Sequence, residues 1–151
     1  MSVFERKMRI IEAGHSLYKP YLDVVYINPH TGKHLNAIAL IDTGGADYCI
    51  VPASYAEILG HNLELGEESE VVGISNTSVS LYKHTMQIKI AGSDFITNEI
   101  QIGFSSNSYK NPILGVKTFL SNFVLTVNYP NQTFSLILPN IEDNLSKWST
   151  P

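Results

Sequence analysis

The sequence predicts a mostly β domain, closed or barrel-like, with one or two short helices. Two observations lead there. Short runs rich in β-branched and aromatic residues alternate with Gly, Pro and Asn turn chemistry from residue 21 to residue 138. Only residues 52–59 and 116–120 read as helix, and neither an internal repeat nor a linker interrupts the pattern. With 151 residues, 44% of them hydrophobic, the chain holds enough apolar material for one core.

Residues 1–20 form a leader or arm: their mixed charge and weak periodicity fit a strand, an arm or a disordered segment equally. The domain proper spans residues 21–138. Residues 21–27 (YLDVVYI) are a strand, residues 28–33 (NPHTGK) a turn, and residues 34–41 a second strand, making a hairpin that delivers Asp42. Residues 48–51 resume the β pattern. Pro52 suits the first position of a helix and Gly60 its end. Glu64, Glu67, Glu68 and Glu70 then make a solvated acidic loop.

The next hairpin, residues 71–90, carries an irregularity. Val79 and Leu81 are apolar at odd positions, whereas Met86, Ile88 and Ile90 are apolar at even ones. Because strand side chains alternate with a period of two, the switch around residues 83–85 implies a bulge, a bend or a change in the surface covered. Residues 95–102 follow as a strand, 103–111 as a polar loop, 123–127 and 133–138 as the last strands, and 139–151 as a tail that frays.

The formal charge of −4, without a Lys/Arg-rich run, offers no footprint for nucleic acid or an anionic membrane. Glu5, Arg6, Lys7 and Arg9 precede any apolar stretch, so a signal peptide is not expected and the expected location is cytoplasmic. The Asn-x-Ser/Thr triplets at Asn76, Asn131 and Asn144 are then chance matches. Cys49 is the single cysteine and reads as a buried packing thiol. The five histidines have no metal-ligand spacing and no glycine loop cradles phosphate, so neither a metal nor a cofactor is expected.

The chemistry concentrates in residues 37–52 (AIALIDTGGADYCIVP), where an apolar strand ends on Asp42. A carboxylate there is costly to desolvate unless donors surround it. Thr43 offers a hydroxyl, and Gly44 and Gly45 offer backbone N–H groups that a neighbour can approach closely. Asp42-Thr43-Gly44 after an apolar strand resembles the active-site signature of aspartic proteases of the retropepsin-like (retroviral-type) branch. Residues 71–90 resemble that family's flap hairpin, and Ile113-Leu114-Gly115 with residues 116–123 resembles its apolar-apolar-Gly motif and short helix. The resemblance spans residues 21–138 and implies a closed acid-protease barrel with a flap.

Hydrolysis by carboxylic acids needs two of them: one takes a proton from the attacking water while the other gives one to the substrate carbonyl. A pair about 3 Å apart shares a proton and does both. The chain has one Asp-Thr-Gly, so the second acid is another carboxylate of this chain or Asp42 of a second copy. Asp23, Asp47, Asp94 and Asp143 lack a comparable setting, which makes a two-fold axis the simpler solution. The resemblance implies the same homodimer, with Asp42, Thr43 and Gly44 as the catalytic set and Thr43 tying the two loops together. It further implies that Gly73, Ile74 and Ser75 close over an extended peptide and that Gly45, Ala46, Asp47 and Leu81 contribute to binding it.

The expected function is therefore an aspartic endopeptidase acting on a peptide or protein substrate. A non-catalytic peptide-binding or scaffolding module on the same fold is the alternative, and an unrelated β domain with a chance motif is a third. Two positions depart from the family pattern: the tip, Ser75-Asn76-Thr77-Ser78, is not glycine-rich, and Gly45 stands where relatives carry Ala, Ser or Thr. Without a hydroxyl at Gly45 the ionised pair has one donor fewer, which favours work at mildly acidic pH. A pH–rate profile should peak above about pH 3, and a maximum below that would contradict this reading of the local hydrogen bonding.

Overall fold

The structure, a computed structural model, describes residues 2–12, 14, 16–44, 47–72, 78–106 and 111–139. The strands are β1 (Ser2–Lys7), β2 (Tyr21–Ile27), β3 (His34–Ile41), β4 (Ile50–Pro52), β5 (Glu67–Val72), β6 (Ser78–Ile90), β7 (Ile100–Ser105), β8 (Ile113–Leu114), β9 (Val124–Asn128) and β10 (Thr133–Leu138). One helical turn, α1 (Tyr55–Ile58), and 3-10 turns at Leu63–Leu65 and Leu120–Asn122 complete the regular elements among the described residues. The protein is mostly β, as its composition of short β-branched runs requires.

The β2–β3 hairpin forms where period-two alternation is cleanest. Leu22, Val24 and Tyr26 are buried while Asp23 between them is exposed. Its turn is closed by Asn28, whose side-chain oxygen accepts from the His30 N–H at 3.0 Å and whose amide donates to the Leu59 carbonyl at 2.8 Å. That second bond ties the hairpin to the end of α1. There Gly60, at φ 78°, places its N–H on Glu57 O and that of His61 on Ala56 O, a left-handed helix stop.

Two sheets enclose the core. β1, β10 and β9 pair antiparallel, so residues 2–7 of the leader form a strand with Phe4 opposite Leu136. The larger sheet runs β2-β3-β8-β4-β7-β6-β5, and β6 also pairs with β2, Val24 opposite Ile90. Phe4 makes edge-on contacts with Phe95, in the connection between β6 and β7, at 6.4 Å and with Phe123, just before β9, at 6.3 Å between ring centroids. Phe119 lies 5.3 Å from Phe123, and such ring pairs contribute about 0.5–1.5 kcal/mol each beyond the area they bury.

Several boundaries differ from those the sequence suggests. Pro52 ends β4 instead of starting a helix, because the Ala53 N–H is taken by Ser105 O at 2.8 Å and the sheet claims the residue. Residues 103–105 belong to β7 and not to a loop: a Cβ on Gly103 would meet Leu81 Cδ1 at 3.0 Å, so the glycine serves close packing. Glu67, Glu68 and Glu70 lie in β5, at the end of the strand order, where exposed carboxylates suit an unpaired edge. In place of a helix at 116–120, Leu120 N–H reaches Gly115 O and Ser121 N–H reaches Val116 O, each spanning five residues in a wide turn.

The phase switch in β6 comes from a change of neighbours. Its register with β7 runs without interruption from Leu81↔Ser105 to Met86↔Ile100, and β2 takes over at Gln87. Leu81 is buried but stands apart from the main core, whereas Met86, Ile88 and Ile90 belong to it. The residues of the tip, 73–77, lie outside the described set.

At the switch His84 is buried, and its ring lies 4.5 Å from that of His61, both against Phe104. His84 Nε2 meets Leu63 O at 2.9 Å and His61 Nε2 meets Thr85 O at 3.2 Å; since a carbonyl only accepts, each Nε2 carries a proton. Burial, then the charge of His84, pushes the pKa of His61 below the ordinary histidine value, with His30 adding to this and the Thr85 bond opposing it. The unfolded chain therefore binds protons more readily than the folded one. Stability contributed here is complete above about pH 6.5 and is lost as the pH falls through the lower, folded pKa. The melting temperature should drop between about pH 7 and pH 5, and His61→Phe should flatten that drop. An identical pH slope in wild type and variant would contradict this.

Candidate active site

The site begins where β3 runs out. Leu40 N–H donates to Pro112 O at 2.8 Å, Ile41 N–H to Pro20 O at 3.0 Å and Asp42 N–H to Leu114 O at 3.1 Å. Two segments distant in sequence thus hold the last residues of the strand and fix the direction in which Asp42 leaves it. Ala39 and Ile41 point into the core, so Leu40 faces the other way, and Asp42, two residues on, continues that outer phase. Asp42 is half-buried, and its Oδ1 accepts from the Gly44 N–H at 3.3 Å. The glycine turn therefore supplies a donor to the carboxylate, as the sequence suggested.

Thr43 and Gly44 are exposed. Among the described residues a Cβ built on Gly44 would meet nothing within 4 Å, and its φ is not in the left-handed region, so none of them demands glycine there. Gly45 and Ala46 lie outside the described residues. Asp47 is exposed, and its carbonyl accepts from the Lys117 N–H at 2.8 Å. Cys49 is fully buried and accepts from the Thr118 hydroxyl at 3.5 Å. Burial pushes its thiol pKa up, only partly offset by bonds from Thr118 and the Gly115 backbone, which leaves it protonated packing material. The loop from Asp42 to Cys49 is thus gripped at both ends by residues 114–118.

The outer face extends across the sheet. Leu40, Ile113, Ile50, Gly103 and Lys83 are successive register partners from β3 through β8, β4 and β7 to β6. Leu81, implied as a binding residue, sits two positions from Lys83 on this face at 1% exposure, beside Gly103. Gly73, Ile74 and Ser75 lie outside the described residues. The structure so brings Asp42, Thr43, Gly44 and Asp47 onto one loop, with Leu81 on the same sheet face.

Two side chains on this face escaped the sequence reading. Lys83 Nζ lies 4.6 Å and Lys117 Nζ 5.3 Å from the centroid of the Tyr48 ring. The signal for Lys83 was its place at the phase switch of β6. Lys117 carried none, because its approach depends on the fold of residues 115–120.

Among the described residues no group of three or more His, Cys, Asp or Glu is arranged to hold a metal ion, and no helix is long and apolar enough to cross a membrane. No protein-family model matches the sequence, and no curated protein matches it either. The solved structures do yield a likeness. A retropepsin-like aspartic protease from Rickettsia conorii superposes with a TM-score of 0.62 at 17% sequence identity, over 89% of this chain and 91% of that one. The fold is therefore retropepsin-like.

Proposed function

We propose that this protein is an aspartic endopeptidase, active as a homodimer in which Asp42 of each copy supplies one half of the catalytic pair. The observation that carries the proposal is the placement of Asp42: a half-buried carboxylate at the end of a core strand, with the Gly44 N–H on one oxygen, in a retropepsin-like fold. In this reading one carboxylate of the pair is ionised and takes a proton from water, while the other, protonated, gives its proton to the carbonyl oxygen of the scissile bond. Water attacks the carbonyl carbon. The carboxyl that took its proton then gives that proton to the leaving nitrogen, while the other carboxylate takes one from a hydroxyl of the tetrahedral adduct. The C–N bond thereby breaks to a free amine and a carboxylic acid. Gly44, open on its Cβ side, leaves room for the facing loop of the second copy, with Thr43 bonding across the axis.

The same reading makes the larger sheet a closed barrel and the β5–β6 hairpin a flap, with Gly73, Ile74 and Ser75 at its tip above an extended peptide. Gly45, Ala46 and Asp47 contact the peptide from below and Leu81 shapes the wall. The substrate is a peptide or protein, and the expected location is the cytoplasm.

Asp42→Asn tests the chemistry with little disturbance, because the Asn side-chain oxygen still accepts from Gly44 at nearly constant volume. Cleavage of a peptide pool should fall by about 10²–10⁴-fold or more, with the melting temperature within a few degrees of wild type. Cleavage that survives the substitution would contradict the proposal. A folded wild type that binds peptides but never cleaves them would favour a peptide-binding module.

A further inference from the structure

From the two lysines on Tyr48 we infer a subsite for an acidic side chain, so that the substrates are peptides carrying Asp or Glu near the cut bond. The inference rests on the proteolytic reading above and names the substrate class it takes. Tyr48 stands six residues after Asp42 in the same loop, half-buried. Lys83 reaches it from β6 and Lys117 from the turn after β8, with ammonium groups 4.6 and 5.3 Å from one ring centroid. The two charges are therefore no more than about 10 Å apart, close to one screening length at physiological salt, and a carboxylate near the ring feels both.

Neither lysine is neutralised within the described part of the chain. The ion pair there is Arg9 with Asp23, at 3.3 Å, remote from this loop in sequence. Glu67 lies opposite Lys83 in the β5–β6 register, yet its exposed side chain makes no ion pair with it. Asp47 is exposed beside Tyr48 and engages Lys117 through its backbone carbonyl, not its carboxylate. An aromatic face holds a cation without consuming its charge, so the arrangement positions two ammonium groups and leaves both able to pair.

Position completes the argument. Lys83 belongs to the row that runs through Gly103, Ile50 and Ile113 to Leu40, on the sheet face that Asp42 continues. Gly103 and Ile50 are flat or apolar neighbours that offer an anion nothing else to bind. Lys117 is anchored by its own N–H on the loop that carries Asp42. On the proteolytic reading, the extended peptide lies along this face from Asp42 toward the β5–β6 hairpin, which takes it past this pair of charges.

Peptides identical except for Glu or Gln, scanned through the positions around the cleaved bond, test the subsite. Wild type should prefer Glu at one position by about three- to tenfold in kcat/KM, the size expected of partly exposed ion pairs. The preference should vanish below about pH 4, where the Glu is protonated. It should shrink toward one in Lys83→Gln with Lys117→Gln, and reverse in favour of a Lys-containing peptide in Lys83→Glu with Lys117→Glu. A ratio near one at every position, or one unchanged in both double variants, overturns the inference. Where wild type cleaves nothing, fluorescence anisotropy of the same peptides on the Asp42→Asn protein separates the questions. Tighter, salt-sensitive binding of the Glu peptide upholds the subsite while the protease reading falls, and equal or absent binding overturns both.

Discussion

The short parallel pairing between the end of β3 and β8 is the constraint on which the rest of the site depends. Two residues of β8, Ile113 and Leu114, stand opposite Leu40 and Ile41, and the Leu114 carbonyl takes the Asp42 N–H. A carboxylate at the end of a core strand is stable only where its backbone direction is fixed and its oxygens find donors. β8 supplies the first condition and the Gly44 N–H contributes to the second. The turn that follows β8 then reaches back to Asp47 and Cys49, so the whole loop is held by one neighbouring segment.

That segment is itself held by the core. Leu114, Phe119 and Leu120 are buried, and the Phe119 ring meets Phe95 edge-on and Phe123 at a tilt, both of which contact Phe4 of β1. The leader strand thus braces the segment that positions the site, at a distance in sequence of more than a hundred residues. The outer face is specialised in the other direction. Leu81 and Ile50 are buried there without joining the main core, and Lys83, in the row of Ile50, holds its ammonium against the Tyr48 ring. The phase switch in β6 lets one strand serve both surfaces, since its second half turns Met86, Ile88 and Ile90 inward.

Local chemistry made part of this legible. The β2–β3 hairpin, the glycine turn after Asp42 and the Gly60 helix stop each follow from a few adjacent residues, and the structure places them as read. The failures are tertiary. Gly103 reads as a loop residue until Leu81 is seen to need its space, and Pro52 reads as a helix start until β7 takes its neighbour's N–H. The glutamates of β5 read as loop because an edge strand carries no apolar alternation. Asn28 looked like turn chemistry alone, yet it is buried to tie a hairpin to α1. At the candidate site, the position of Asp42 at a strand end and the Gly44 N–H beside it follow from one strand and one turn, whereas the meeting of Lys83 and Lys117 over Tyr48 needs three separate elements.

The central claim is that catalysis needs Asp42 from two copies. The most direct measurement mixes wild type with increasing amounts of inactive Asp42→Asn chain and follows peptide cleavage at fixed wild-type concentration. Mixed dimers hold one competent carboxylate, so activity should fall toward about a tenth at an about ninefold excess, tracking the fraction of wild-type chains paired with each other. Activity that stays constant, from a protein whose specific activity is also independent of dilution, would show that a single copy is sufficient and would contradict the account.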